Sequence, residues 1–160
     1  MTSRTLSPSQ RREILRNPVC LAAFGFGAGL ISPAPGTWGT AIAIPVYLLL
    51  AGLAPGPYVL VVVGLFLIGV WLCSVSARKL AVHDHPGIVW DEIVGFLIAA
   101  AGVGTSWNGI LLAFLFFRFF DIVKPWPIRV LDRHVPGGLG IMIDDVLAGL
   151  FAWGLTRLIL

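Results

Sequence analysis

The stretch 118–145 reads R-F-F-D-I-V-K-P-W-P-I-R-V-L-D-R-H-V-P-G-G-L-G-I-M-I-D-D. It leaves one apolar run (Ile110 to Phe120), gathers many of the chain's charges into a single connection, and enters a second apolar run at Val146. A charge at mid-membrane depth costs about 2.5–3.5 kcal/mol on insertion scales, so acids inside or beside membrane helices point to function. Asp121, Asp144 and Asp145 stand where the predicted apolar helices end or begin, which places them at a membrane surface. The stretch reads as one wall of a polar site that the other helices hold in place.

Composition sets the class. The chain has 160 residues, of which 58% are hydrophobic and 12% charged, and its mean hydropathy is +0.92. Soluble domains carry about 25% charged residues, so the expectation is an integral membrane protein. A polar tail over residues 1–17 is expected in the cytosol, followed by a single membrane-embedded domain over 18–160. The net charge is +3, but the basic residues form no continuous patch, which argues against nucleic acid as a partner. Cys20 and Cys73 both lie in apolar surroundings and read as buried free thiols, which pack as small hydrophobes. No apolar core follows Met1, so a cleaved signal peptide is not expected.

The apolar runs predict an all-α membrane protein, a helical bundle of about five transmembrane helices. Expected spans are Trp38 to Ala54, Tyr58 to Ala77, Ile93 to Val103, Trp107 to Phe120, and Val146 to Leu160. Val19 to Ile31 is apolar but short and glycine-rich, and runs of that length are more often re-entrant or interfacial than spanning. With five spans and the N-terminus inside, nearly every Lys and Arg falls on one face, Arg157 excepted. The positive-inside rule places that face in the cytoplasm of a multi-pass inner-membrane protein. Every acidic residue shares the same face, which the rule does not require.

Those acids carry the chemistry. Asp91 and Glu92 stand at an expected helix start, Asp121 at a helix end, and Asp144 and Asp145 at another start. Acids at helix N-termini cap and complement the macrodipole at about 0.3–1 kcal/mol each, which accounts for Asp91 and Asp144 but not for Asp121. Five carboxylates at one face suit a hard divalent cation, and Mg2+ above all, which takes carboxylates and keeps waters. Arg118, Asp121 and Lys124 repeat at i, i+3, i+6 along one helical face, and Arg129, Asp132 and Arg133 repeat the arrangement. Ion pairing explains such groups, as does a phosphate held beside a metal site by Arg forks. In P-A-P-G-T-W-G-T (33–40), Thr37 suits an N-cap, and Gly36 lets backbone approach a ligand, with free N–H groups for phosphate at the helix start. Gly137-Gly138-Leu139-Gly140 is similarly permissive but lacks the ending of a P-loop. His83 and Asp84, in H-D-H, offer a general acid. Zinc is disfavoured, because neither a cysteine set nor an H-E-x-x-H helix accompanies them. Trp90 and Trp126 are expected at the membrane interface.

Other phosphatase designs are absent: no C-x5-R thiolate loop joins Cys73 to Arg78, no D-x-D-x-[TV] motif occurs, and His134 lacks a Ser-Gly-His context. Four stretches together resemble the phosphatidylglycerophosphatase A family of bacterial membrane lipid phosphatases: G-F-G-A-G-L-I-S-P-A-P-G-T-W-G-T (25–40), H-D-H-P-G-I-V-W-D-E (83–92), F-R-F-F-D-I-V-K-P-W-P-I-R (117–129) and G-G-L-G-I-M-I-D-D-V-L-A-G (137–149). The resemblance implies Mg2+-dependent removal of the terminal phosphate of phosphatidylglycerophosphate, a lipid in the bilayer, by an all-helical bundle around a central helix. On that reading Asp91, Glu92, Asp121, Asp144 and Asp145 supply ligands for one or two ions. Gly36, Thr37, Arg118, Lys124, Arg129, Asp132 and Arg133 surround the phosphate, and His83 or Asp84 protonates the leaving oxygen. Within enzymes the alternative is a phosphatase for another lipid phosphomonoester, such as phosphatidate. Outside them it is a small ion-binding, transporter-like membrane protein.

Overall fold

The structure, a computed structural model, describes residues 6–81, 85–130 and 135–160. All regular elements among them are helical: α1 Pro8–Arg16, α2 Pro18–Ala23, a 3-10 turn Gly25–Leu30, α3 Pro35–Leu50, α4 Pro55–Leu80, α5 Trp90–Ala99, α6 Trp107–Val123 and α7 Gly137–Ile159. Proline in the first turn opens α1, α2, α3 and α4, where its missing N–H costs nothing. Ser7 and Gln10 close a capping box on α1, and Asn17 caps α2 through its side chain.

α5 is the middle of the bundle. Its ten residues include buried Glu92, Ile93, Val94, Gly95, Phe96, Leu97 and Ala99, and α3, α4, α6 and α7 all pack against it. The helices alternate in direction. The starts of α3, α5 and α7 share one end of the bundle with the ends of α4 and α6, where Arg118 meets Glu92 and Gly138 donates its N–H to Ser74 Oγ. At the opposite end Tyr47 donates to Gly104 O, Trp153 to Ala101 O and Arg157 to Gly102 O.

Glycine sets the closest approaches. A Cβ on Gly95 would stand 2.5 Å from the Phe117 ring and 2.8 Å from the Asp145 carbonyl oxygen, and one on Gly149 would stand 2.4 Å from the Gly95 carbonyl oxygen. α5 and α7 therefore cross backbone to backbone. The Gly137-Gly138-Leu139-Gly140 run, expected as a loop, is the first turn of α7. A Cβ on Gly138 would lie 2.1 Å from the Val70 carbonyl oxygen of α4, so these glycines serve close packing. Asp144 and Asp145 consequently sit about two turns inside a helix, 6% and 2% exposed, rather than at its start.

The expected spans fare unequally. Among the described residues, Pro55–Leu80 and Gly137–Ile159 are long and apolar enough to cross a membrane. α3 has 16 residues and α6 has 17. α5 has ten residues, about 15 Å of helix against a hydrocarbon core of about 30 Å. The expected span at 93–103 is thus a short helix buried by its neighbours, and a count of five crossings does not follow from helix length. The glycine-rich run at 19–31 is no continuous helix, because Phe26 (φ 54°) and Gly27 (φ 103°) break it.

The crossing yields a test. Gly149→Ala forces apart two backbones and is expected to cost about 1–3 kcal/mol by overpacking. Gly154→Ala on the same helix meets nothing within 4 Å and should be neutral or slightly stabilising through helix propensity. Thermal unfolding of the two variants in one detergent checks the difference.

Candidate active site

The crossing of α5 and α7 brings the acids together. Asp91 and Glu92 lie one turn before Gly95, Asp145 one turn before Gly149, and both helices run away from that end. One ligand oxygen from each of Asp91, Glu92 and Asp145 lies within 4.8 Å of the others. Asp121, near the end of α6, adjoins the group through Arg118, which ion-pairs with it and reaches Glu92. Its position near a helix C-terminus opposes the macrodipole, and Arg118 offsets that charge: Arg118 Nη1 lies 2.6 Å from Asp121 Oδ2 and 4.0 Å from Glu92 Oε1.

The site is dry and acidic. Glu92 is 9% exposed and Asp145 2%. Glu92 Oε2 and Asp145 Oδ2 are buried with no hydrogen-bond partner among the described residues. Buried charge without a partner is costly, and acceptor oxygens converging from two helices are what a hard cation takes. The donor set therefore fits a divalent ion held by Asp91, Glu92 and Asp145, with Asp121 beside it. Arg118 Nε is likewise buried without an acceptor, which leaves a guanidinium N–H next to the acids for an anion.

The other sequence-predicted residues distribute unevenly. Asp144 is not among the grouped acids; Lys124 of the α6 C-cap ion-pairs with it. Asp144 and Asp145 thus meet different neighbours, Lys124 for the first and the grouped acids for the second. Lys124 takes a left-handed conformation (φ 44°), which turns it from the α6 face toward α7. Gly36 stands against the site: a Cβ there would lie 2.2 Å from Glu92 Oε1 and 3.2 Å from Arg118 Nη1. Thr37 is not the N-cap; Ala34 is, and the N–H groups of Thr37 and Trp38 both donate to its carbonyl. The free first-turn N–H groups expected after Thr37 are thus engaged, and backbone approach at Gly36 is what remains of that motif. Arg129 is exposed. His83, Asp84, Asp132 and Arg133 lie outside the described residues. Trp126 is 81% exposed, whereas Trp90 is half-buried and donates its indole N–H to Leu65 O.

Sequence reasoning passed over Gly95 and Gly149. The available signal was a glycine one turn after an acid on each of two apolar helices, D-E-I-V-G and D-V-L-A-G.

With this geometry in view, comparison with known proteins is informative. The family profile described as phosphatidylglycerophosphatase A matches residues 21–160. The chain belongs to the phosphatidylglycerophosphatase A family. It is 50% identical to the phosphatidylglycerophosphatase A of Haemophilus influenzae, over 86% of each chain. With that of Escherichia coli it shares 45% identity over 94% of this chain and 88% of the other. A Bacteroides thetaiotaomicron protein provisionally named a phosphatidylinositol-3-phosphatase is 36% identical over 83% of this chain and 87% of its own. No solved structure matches the chain.

The geometry separates the two adjacent aspartates. Asp145→Asn is expected to weaken divalent-cation binding by about 100-fold or more, since even supporting residues around a metal cost 10–100-fold. Asp144→Asn should keep the ion and lower thermal stability by stranding Lys124. Titration calorimetry with Mn2+, paired with thermal unfolding, distinguishes the outcomes; equal loss of binding in both variants would refute the separation.

Proposed function

We propose that the chain is a Mg2+-dependent lipid phosphatase that hydrolyses the terminal phosphomonoester of phosphatidylglycerophosphate to phosphatidylglycerol and inorganic phosphate. Membership of the family and 45–50% identity to two proteins named for this activity support the reaction. The observation that carries the metal is the Asp91, Glu92 and Asp145 cluster, half-buried at Asp91 and buried at Asp145. The chemistry that a bound Mg2+ supplies is positive charge against the phosphoryl oxygens.

This chain's residues supply the rest. Arg118 offers its buried N–H to the phosphate, while Asp121 holds the guanidinium in place. Gly36 lets Glu92 and Arg118 stand against the α3 backbone, where any side chain would collide with both. Water attacks phosphorus, the bond to the glycerol oxygen breaks, and that oxygen takes a proton, for which His83 and Asp84 are the assigned donors. Lys124 belongs to the site as a brace on Asp144, and Arg129, Asp132 and Arg133 are assigned to the phosphate.

The membrane frame is part of the proposal. α3 to α7 form the five-helix bundle of a multi-pass inner-membrane domain, with the acid-bearing end at the cytoplasmic surface. Arg78 and Lys79 in the last turn of α4 support that orientation, in line with the positive-inside rule. An ion pathway, the competing class, would place ionisable groups at both ends, and here the acids gather at one.

Phosphate release measured on phosphatidylglycerophosphate, phosphatidate and phosphatidylinositol 3-phosphate tests the substrate. The first is expected to have the highest kcat/KM, and a preference for either other lipid would reassign it. EDTA should silence release and Mg2+ restore it, and Asp121→Asn should abolish turnover in protein that still inserts and folds. Chelator-insensitive activity would remove the metal from the mechanism. Because carboxylates must shed their protons to hold the ion, the Mg2+ concentration needed for half-maximal rate should rise as pH falls.

A further inference from the structure

Beside the acids, a cavity of about 540 Å3 opens between the 3-10 turn, α3, α4 and α5. Phe26, Ile31, Ile42, Val46, Leu65 and Ile93 are among its lining, and among the described residues no charged one is. Its volume falls within the roughly 300–1,000 Å3 typical of small-ligand sites, and only an apolar group suits its walls.

Two observations tie the cavity to the acid site. Trp90 and Ile93, which line it, bracket Asp91 and Glu92 in the first turn of α5, so groove and carboxylates occupy adjoining sides of one helical turn. At its mouth, Phe26 is 73% exposed while held left-handed at φ 54° between Gly25 and Gly27, both also at positive φ. That conformation is unfavourable for a non-glycine residue, and strain of this kind gathers at ligand sites. The turn is fixed from behind: a Cβ on Gly25 would lie 2.7 Å from Val89 and one on Gly29 2.0 Å from the Gly87 carbonyl oxygen. The same backbone that starts the acid helix thus sets the groove wall. The other large cavity, about 560 Å3, is lined by Tyr47, Tyr58, Gly102 and Arg157 at the far end and is not continuous with the acids.

We propose that the groove under Phe26 seats one fatty acyl chain of the lipid whose phosphomonoester is hydrolysed at the carboxylates. The inference rests on the phosphatase reading and extends it: chain length becomes a recognised feature of the substrate, read by α3, α4 and the glycine turn.

Val46→Trp fills the groove from α3. The measured quantity is the ratio of kcat/KM for dipalmitoyl over dihexanoyl phosphatidylglycerophosphate in mixed micelles, expected to fall about tenfold, the equivalent of losing roughly two buried methylenes. Phe26→Ser, at an exposed position, should lower the same ratio by about threefold. An unchanged ratio in both variants, whether or not overall turnover drops, overturns the assignment, as does a change that follows dimerisation in the mass of the detergent particle. On wild-type protein in EDTA, a phosphatidylglycerophosphate carrying a diazirine at the end of one palmitoyl chain should label residues 25–31 and 42–46 on irradiation, with excess dipalmitoyl lipid competing. Adducts found only elsewhere count against the groove. Phosphate release with misplaced adducts overturns the groove and leaves the activity standing; correct adducts without phosphate release do the reverse.

Discussion

Carboxylates buried within 4.8 Å of one another repel, and the fold keeps them there because two helix backbones touch. Gly95 and Gly149 remove the side chains that would separate α5 from α7, and the acids one turn earlier are carried into a single dry pocket. Without a cation, carboxylates so close together are electrostatically unfavourable. With one, burial becomes an advantage, since a low dielectric strengthens the attraction between ion, carboxylates and phosphate. Packing holds ligands that electrostatics alone would push apart.

The surrounding elements serve that pocket in different ways. α6 contributes Arg118, which lies between Glu92 and Asp121, and Lys124, which fixes Asp144. α3 presents a glycine where any other residue would strike Glu92. α4, the longest helix at 26 residues, receives the Trp90 indole on Leu65 O and so orients the start of α5. The Gly25–Leu30 turn lies against the segment leading into that start, where a Cβ on Gly25 would stand 2.7 Å from Val89, and Val89 donates its N–H to Ala23 O of α2. Each contact constrains the first turn of α5, the turn that holds two of the three grouped acids.

Much of this was legible in the sequence. Apolar runs marked the helices, and acids confined to one end of them marked the site. The i, i+3 spacing of Arg118 and Asp121 announced their pairing. What the sequence could not convey was depth and direction. Gly137-Gly138-Leu139-Gly140 looks like a loop by propensity, yet close packing on α4 makes it helical, which moved Asp144 and Asp145 from a helix start to a helix interior. Adjacent in sequence, these two aspartates meet different partners. Asp91 and Glu92, in the first turn, do converge. Ile93 to Val103 looked like a span because hydropathy does not distinguish a helix buried in protein from one buried in lipid. Thr37 looked like a cap, but Ala34 in a left-handed conformation starts α3 three residues earlier.

The ion itself offers the most direct examination of this arrangement. Crystals grown with Mn2+ in place of Mg2+ and measured at the manganese edge should give an anomalous peak within coordination distance of Asp91, Glu92 and Asp145, at the head of the α5–α7 crossing. A peak at Asp144 and Lys124, or at no single place under saturating Mn2+, would contradict it.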